Sequence, residues 1–126
     1  IFLGGVNASC KPFLLQNSIT NLLSLGRQPV EDLSPEITAK YIDIANTEET
    51  DINVILDEAC RFINLGTRGS NRILVHCRSG QSWSPTAVIV YLHRFKGLAM
   101  FHAFYFVARK RPLIWLNKSF QKYLIV

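Results

Sequence analysis

After Glu58 the sequence has no aspartate or glutamate. All nine acids of the 126-residue chain lie between Glu31 and Glu58, where they outnumber the three bases of the first 58 residues, Lys11, Arg27 and Lys40. Residues 59–126 carry eleven bases, so the modest net charge of +5 covers two halves of opposite sign. A charge run is ordinarily a solvated face; one this one-sided also sets up a positive field that draws phosphorylated or acidic protein partners. Nucleic acid is not an expected partner, because Arg109-Lys110-Arg111 is one short basic cluster with no accompanying motif.

Cysteine is scarce too. Cys10, Cys60 and Cys77 are odd in number, far apart and form no metal-type Cys-x-x-Cys pair. Free thiols in a reducing compartment, cytosol or nucleus, are the expectation. Long apolar runs are missing: ITNLLSLG, RILVHC and TAVIVYL fall well short of the ~20 residues a membrane span needs. The sequence opens on Ile1 with no basic segment ahead of an apolar one, so no signal peptide is expected. IFLGG reads as a strand entered mid-protein, which suggests a domain cut from something longer. No internal repeat or low-complexity segment is present. At 48% hydrophobic and 18% charged residues, the composition is that of one globular domain, residues 1–126, large enough to bury a real core.

Short apolar runs alternate with helix-like segments, the pattern of an α/β domain. IFLGG is a strand with a glycine exit, and KPFLLQNS a short helix with Pro12 in its first turn. ITNLLSLG and KYIDIA are the second and third strands, joined by the polar, two-proline loop GRQPVEDLSPE. Ile52, Ile55, Leu56, Ala59, Phe62 and Ile63 recur at three and four, an amphipathic helix ended by Gly66. Arg72 to His76 is a buried strand. Ser84 to Phe95 is a helix, with Ser84 as N-cap candidate, Pro85 as first residue and Gly97 as its end. Its run AVIVYL is apolar on nearly every side and should sit centrally. Residues 100–110 form another helix, and Lys118 to Leu124 a last short one.

Between the strand RILVH and the helix lies Cys77-Arg78-Ser79-Gly80-Gln81-Ser82. Backbone N–H groups curled around a centre and aimed with a helix N-terminus make an anion site. Gly80 lets the chain bend tightly. A cysteine at the rim has its pKa lowered by those amides and the helix dipole. A thiolate beside a bound phosphate can attack phosphorus and form a covalent intermediate. A lone cysteine at a strand end is ordinarily inert core; His-Cys with glycine three residues on, ahead of an apolar helix, points to the nucleophile instead.

The stretch VHCRSGQSWSPTAVIVYL resembles the signature of the cysteine-based dual-specificity phosphatases: His-Cys, five residues, Arg, then Ser or Thr. The likeness extends along the chain. IFLGG and ITNLLSLG resemble the family's first two strands, YIDIANTEETDI the strand and loop that carry its general acid, and GLAMFHAFYFVARKRPLIWLNKSFQKYL its closing helices. The resemblance implies a central mixed, mostly parallel sheet flanked by helices, with the cysteine loop between a central strand and a helix. It implies Cys77 as nucleophile, residues Arg78, Ser79, Gly80, Gln81, Ser82 and Trp83 as the phosphate loop, and Ser84 as the hydroxyl that helps the thiolate leave. His76 takes the place of the residue that orients the loop. No metal or organic cofactor is implied, since the chemistry rests on the thiolate.

Two catalytic places depart from the pattern. The phosphate-binding arginine should stand six residues after the cysteine, where this sequence has Trp83. Arginine offers a planar fork matched to phosphate oxygens, whereas tryptophan has one N–H and a ring able to fill or cap the pocket. Arg78 follows the cysteine directly, where the resemblance implies a side chain directed away from phosphate. The general acid aligns with Asn46, whose amide cannot supply a proton; Asp43, Glu48, Glu49 and Asp51 are nearby, the first on the strand and the others on the loop. A milder departure is Leu116-Asn117-Lys118-Ser119-Phe120 in place of the family's Pro-Asn-x-Gly-Phe. The leading expectation is a pseudophosphatase that binds phosphorylated or acidic partners. The alternative is an active Tyr/Ser/Thr phosphatase using Cys77 with a non-standard acid and cation, such as a loop carboxylate and Arg109 or Arg111. A third reading, a chance or engineered Trp83 in an active scaffold, fits poorly with the separate change at Asn46.

Overall fold

The computed structural model describes residues 1–44 and 52–111. The loop residues Asn46, Glu48, Glu49 and Asp51, the stretch 116–120 and the helix expected over 118–124 lie outside the described residues. Four strands are described: β1 Phe2–Gly4, β2 Asn21–Leu25, β3 Thr38–Ile42 and β4 Ile73–His76. They form one sheet in the order β1-β4-β2-β3. All three strand pairs among the described residues are parallel, and helices flank the sheet as expected. Four α-helices connect or follow them: α1 Lys11–Gln16, α2 Ile52–Gly66, α3 Trp83–Lys96 and α4 Met100–Lys110.

The two central strands, β2 and β4, are buried at every position. That is why NLLSL and ILVH read as near-continuous apolar runs rather than as alternating ones. Strand periodicity divides their side chains between two faces. Leu22 and Leu74 pack with Leu14 and Ile19, around α1. Leu23, Leu25, Ile73 and Val75 enter the larger core with α2, α3 and α4. Helix α3 runs through this core with Ser84 to Tyr91 all buried, as its nearly all-apolar sequence requires. The Tyr91 hydroxyl finds the Thr67 hydroxyl at 3.2 Å, so its polar end is not stranded. Gly97 closes the helix in the left-handed conformation.

Several sequence boundaries shift. The third strand begins at Thr38, not Lys40, because pairing with β2, not apolar pattern, defines this exposed edge. A 3-10 turn, Val6–Ser9, fills what looked like a plain connection. The expected N-cap is corrected: α3 starts at Trp83 with Ser82 as N-cap, and Ser84 lies inside its first turn. The reason is tertiary. The Ser84 hydroxyl is directed to the Cys77 sulfur and the Gly4 carbonyl, not to its own helix terminus.

Candidate active site

Strand β4 delivers His76 and Cys77 to the C-terminal edge of the parallel sheet, and α3 departs six residues after the cysteine. Ligand sites in open α/β sheets lie at this edge, where a loop and a helix N-terminus converge. The loop between them leans on β1. The Cys77 amide donates to the Gly4 carbonyl at 3.4 Å, and the Val6 amide donates to the Arg78 carbonyl at 3.1 Å. A side chain on Gly5 would come within 3.0–3.1 Å of the Arg78 and Ser79 backbone, so glycine there permits the close approach.

Cys77 is buried, and its sulfur lies among hydrogen-bond donors. The Gly80 amide donates to it at 3.2 Å, and the Ser84 hydroxyl lies at 3.2 Å. Burial pushes the thiol's pKa up, but the Ser84 hydroxyl and the amides of Ser84, Ser82 and Gly80 outweigh it, and the net shift is downward. Ser84 also sits 3.3 Å from the Gly4 carbonyl. Its one proton therefore has two destinations: the carbonyl when sulfur is a thiol, the sulfur when it is a thiolate. Cys60 is a contrast. It lies in the core between helices, where burial raises its pKa to about 11, and it is no nucleophile. All three cysteines are free.

His76 is fully buried, opposite Ser24 in the β2–β4 register. Its Nδ1 lies 3.4 Å from the Cys77 carbonyl, which can only accept, so Nδ1 carries the proton. Nε2 then accepts from the Ser24 hydroxyl at 2.7 Å. Burial holds the His76 pKa below its ordinary value, partly offset by the bond to the Cys77 carbonyl. The sign of the pH effect follows. An unfolded histidine takes its proton near ~6.5 and the folded one only at lower pH, so the stability contribution is complete above ~6.5 and is lost as pH falls through the folded pKa. The melting-temperature advantage of the native chain over a His76→Asn variant should therefore shrink as pH drops below about 6.5. Parallel melting curves from pH 7.5 to 4.5 would mean the ring carries no such linkage.

Ser79, Arg78 and Gln81 are exposed on the loop, and the Ser79 hydroxyl accepts from the Gln81 amide at 3.2 Å. Gly80, at φ +75°, makes the tight bend. Trp83 is half-buried and packs against the larger core, the environment its ring prefers. Asp43 is described at the end of β3, but Asn46 and the loop acids are not. One residue at the site escaped sequence reasoning, and another was foreseen only as a candidate cation toward phosphate, not as a partner of the loop's backbone. Ser24 was signalled only by a polar residue inside the apolar run LLSL. Arg111, at the end of α4, donates from Nε to the Gly80 carbonyl at 2.7 Å and from Nη2 to the Ser79 carbonyl at 3.4 Å.

Comparison with known proteins fits this geometry. The family model for the dual specificity phosphatase catalytic domain matches residues 1–126. The chain belongs to the dual specificity phosphatase family. Dual specificity protein phosphatase 1B of Arabidopsis thaliana is 31% identical over 121 residues, covering 95% of this chain and 72% of that protein. Human dual specificity protein phosphatase 5 is 30% identical over 126 residues, but the chain spans only 33% of its length. Among solved structures, human DUSP28 superposes with a TM-score of 0.85 at 25% identity, covering 98% of this chain and 87% of that one. DUSP15 gives 0.83 at 29% identity, covering 97% and 78%. These dual specificity phosphatases share the parallel sheet flanked by helices. Among the described residues, no group of three or more His, Cys, Asp or Glu side chains is placed to hold a metal, and no helix is long and apolar enough to cross a membrane.

Proposed function

We propose that this domain is a catalytically impaired dual-specificity phosphatase that acts by binding phosphorylated or acidic protein partners in a reducing compartment. The observation that supports the reading is a cysteine sulfur ringed by hydrogen-bond donors beside tryptophan at the position of the family's arginine. The Gly80 amide and the Ser84 hydroxyl both stand within hydrogen-bond reach of the Cys77 sulfur, while Trp83 opens α3 and packs against the core. No phosphate-binding fork comes from position 83. The Asn46 assignment rests on the family resemblance and adds the loss of the general acid. Loss of one transition-state charge donor typically costs ~10²–10³ in rate, and loss of a general acid roughly 10²–10⁴. Such effects need not multiply, because groups that act together are non-additive. The excess of bases after residue 58 supports attraction of acidic ligands without turnover.

A second reading has one observation in its favour. The lowered Cys77 pKa and the nearby Ser84 hydroxyl retain the two chemical parts of a thiolate mechanism. In that reading thiolate attacks phosphorus, the leaving alkoxide takes a proton from a loop carboxyl, and water then cleaves the phosphocysteine as Ser84 stabilises the departing sulfur.

Two measurements test the proposal, and turnover separates it from the active reading. Inorganic tungstate, a phosphate mimic, should raise the melting temperature; at a hundredfold excess over Kd, binding to the folded state alone contributes about 2.7 kcal/mol, or several degrees. Aryl-phosphate turnover should stay at the level of a Cys77→Ser control. Turnover that the Cys77→Ser change abolishes would overturn the impaired reading in favour of the active one. No tungstate shift would move ligand binding from the cradle to the protein surface.

A further inference from the structure

Arg111 lies just past the last residue of α4, far in sequence from the cysteine loop, yet grips two of its carbonyls. The described chain has no cis peptide, so the Ser79 carbonyl points opposite to the Gly80 N–H of the same peptide. That N–H donates to the Cys77 sulfur at 3.2 Å. The Ser79–Gly80 peptide thus has the thiol on one side and the guanidinium on the other. We propose that Arg111 is a positioning residue for the cysteine loop, holding the Ser79–Gly80 peptide with its N–H on the Cys77 sulfur and strengthening that bond by polarising the peptide from behind.

The physical case has three parts. A carbonyl that accepts from a cation polarises its amide, and the N–H of the same peptide becomes a better donor. The planar fork of arginine reaches two successive carbonyls at once, which a lysine point charge cannot hold in the same geometry. And the grip completes a set: with the Arg78 carbonyl taken by the Val6 amide, the three consecutive carbonyls of residues 78–80 are all engaged from outside. Fixing the Ser79 carbonyl from outside keeps the Gly80 amide of the same peptide on the sulfur. The arginine therefore acts through the loop and not on a substrate. Among the described residues, the other charged or titratable groups on or next to the loop are Arg78, exposed upon it, and His76, next to the cysteine and bound to Ser24. This inference rests on the reading of Cys77 as a thiolate in an anion cradle.

The test is the pH profile of Cys77 alkylation by iodoacetamide, read by mass spectrometry on the peptide that carries it, so that Cys10 and Cys60 do not contribute. Native chain, Arg111→Met, Arg111→Lys and Lys110→Met are compared. The native midpoint should lie below that of an ordinary thiol. In Arg111→Met it should rise by roughly half a unit or more, about threefold slower alkylation at pH values below both midpoints. Arg111→Lys should fall between them, and Lys110→Met, at an exposed neighbour, should match the native profile. A merely structural role would lower the melting temperature and leave the midpoint where it is. A folded Arg111→Met with an unshifted profile overturns the proposal, as does an equal shift from Lys110→Met. Should Arg111→Met fail to fold, an unshifted Arg111→Lys overturns it. A native midpoint near ~8.5 instead overturns the thiolate reading itself, and the proposal with it.

Discussion

The Trp83→Arg, Asn46→Asp double variant should hydrolyse an aryl phosphate about 10³-fold or more faster than the unaltered chain, and the gain should vanish when Cys77→Ser is added. In the proposed reading Cys77 is the nucleophile and already has the Gly80 amide and the Ser84 hydroxyl within reach, so only a charge donor and a proton donor have to be supplied. Position 83 is the first residue of α3, directly after the loop, the place where the family resemblance puts the phosphate-binding arginine. Trp83→Arg alone should give the larger single effect, since without the cation the phosphoryl group is held by amides alone. Asn46→Asp alone should do little. The substitution at 83 also removes a half-buried ring from the core, so a stability loss of about 1–3 kcal/mol is expected and should be measured beside the rates. If the double variant is folded, shows the tungstate shift and still fails to turn over, the two lost groups are not what silences the site.

How far the sequence alone carried this reading depends on the range of the interactions involved. The cysteine loop was legible because its whole apparatus is local: a buried strand, a glycine bend and an apolar helix follow one another in 20 residues, from Ile73 to Leu92. The apolar periodicity of α2 and the end of α3 at Gly97 were legible for the same reason. The exact start of α3 was not. Ser82 and Ser84 are the same residue type two positions apart, and only the partners of Ser84, a sulfur on β4's loop and a carbonyl on β1, separate them. Ser24 meets His76 because parallel pairing sets those two residues side by side, a register that no local pattern encodes. The Arg111 grip on the loop depends on where α4 ends relative to the cysteine loop, whose Gly80 lies 31 residues away in sequence. The basic cluster was visible as charge; its hydrogen bonds to carbonyls were not.

The second large effect concerns the loop's bend. Gly80→Ala should uncouple the cradle from its supports, costing about 2–5 kcal/mol of stability and returning Cys77 toward an ordinary thiol. Two costs combine. At φ +75° an L side chain is strained wherever it sits, roughly 1–2 kcal/mol for alanine. The added Cβ would also collide with Arg111 Nη2 and fall 2.7 Å from Gly4 C and Gly5 N. A flexible guanidinium can withdraw from such a clash, but the backbone at the end of β1 cannot. The loop must then lift away from β1, and the Arg111 grip and the Gly80 N–H bond to sulfur are lost together. Arg111→Met removes the grip without the clash, so it should lose less stability than Gly80→Ala while moving the alkylation profile in the same direction. Denaturant melts combined with Cys77 alkylation profiles distinguish the cases. A Gly80→Ala chain of native stability and native thiol reactivity would show that the loop bends freely without its glycine, and that the contacts at β1 and Arg111 do not define the cradle.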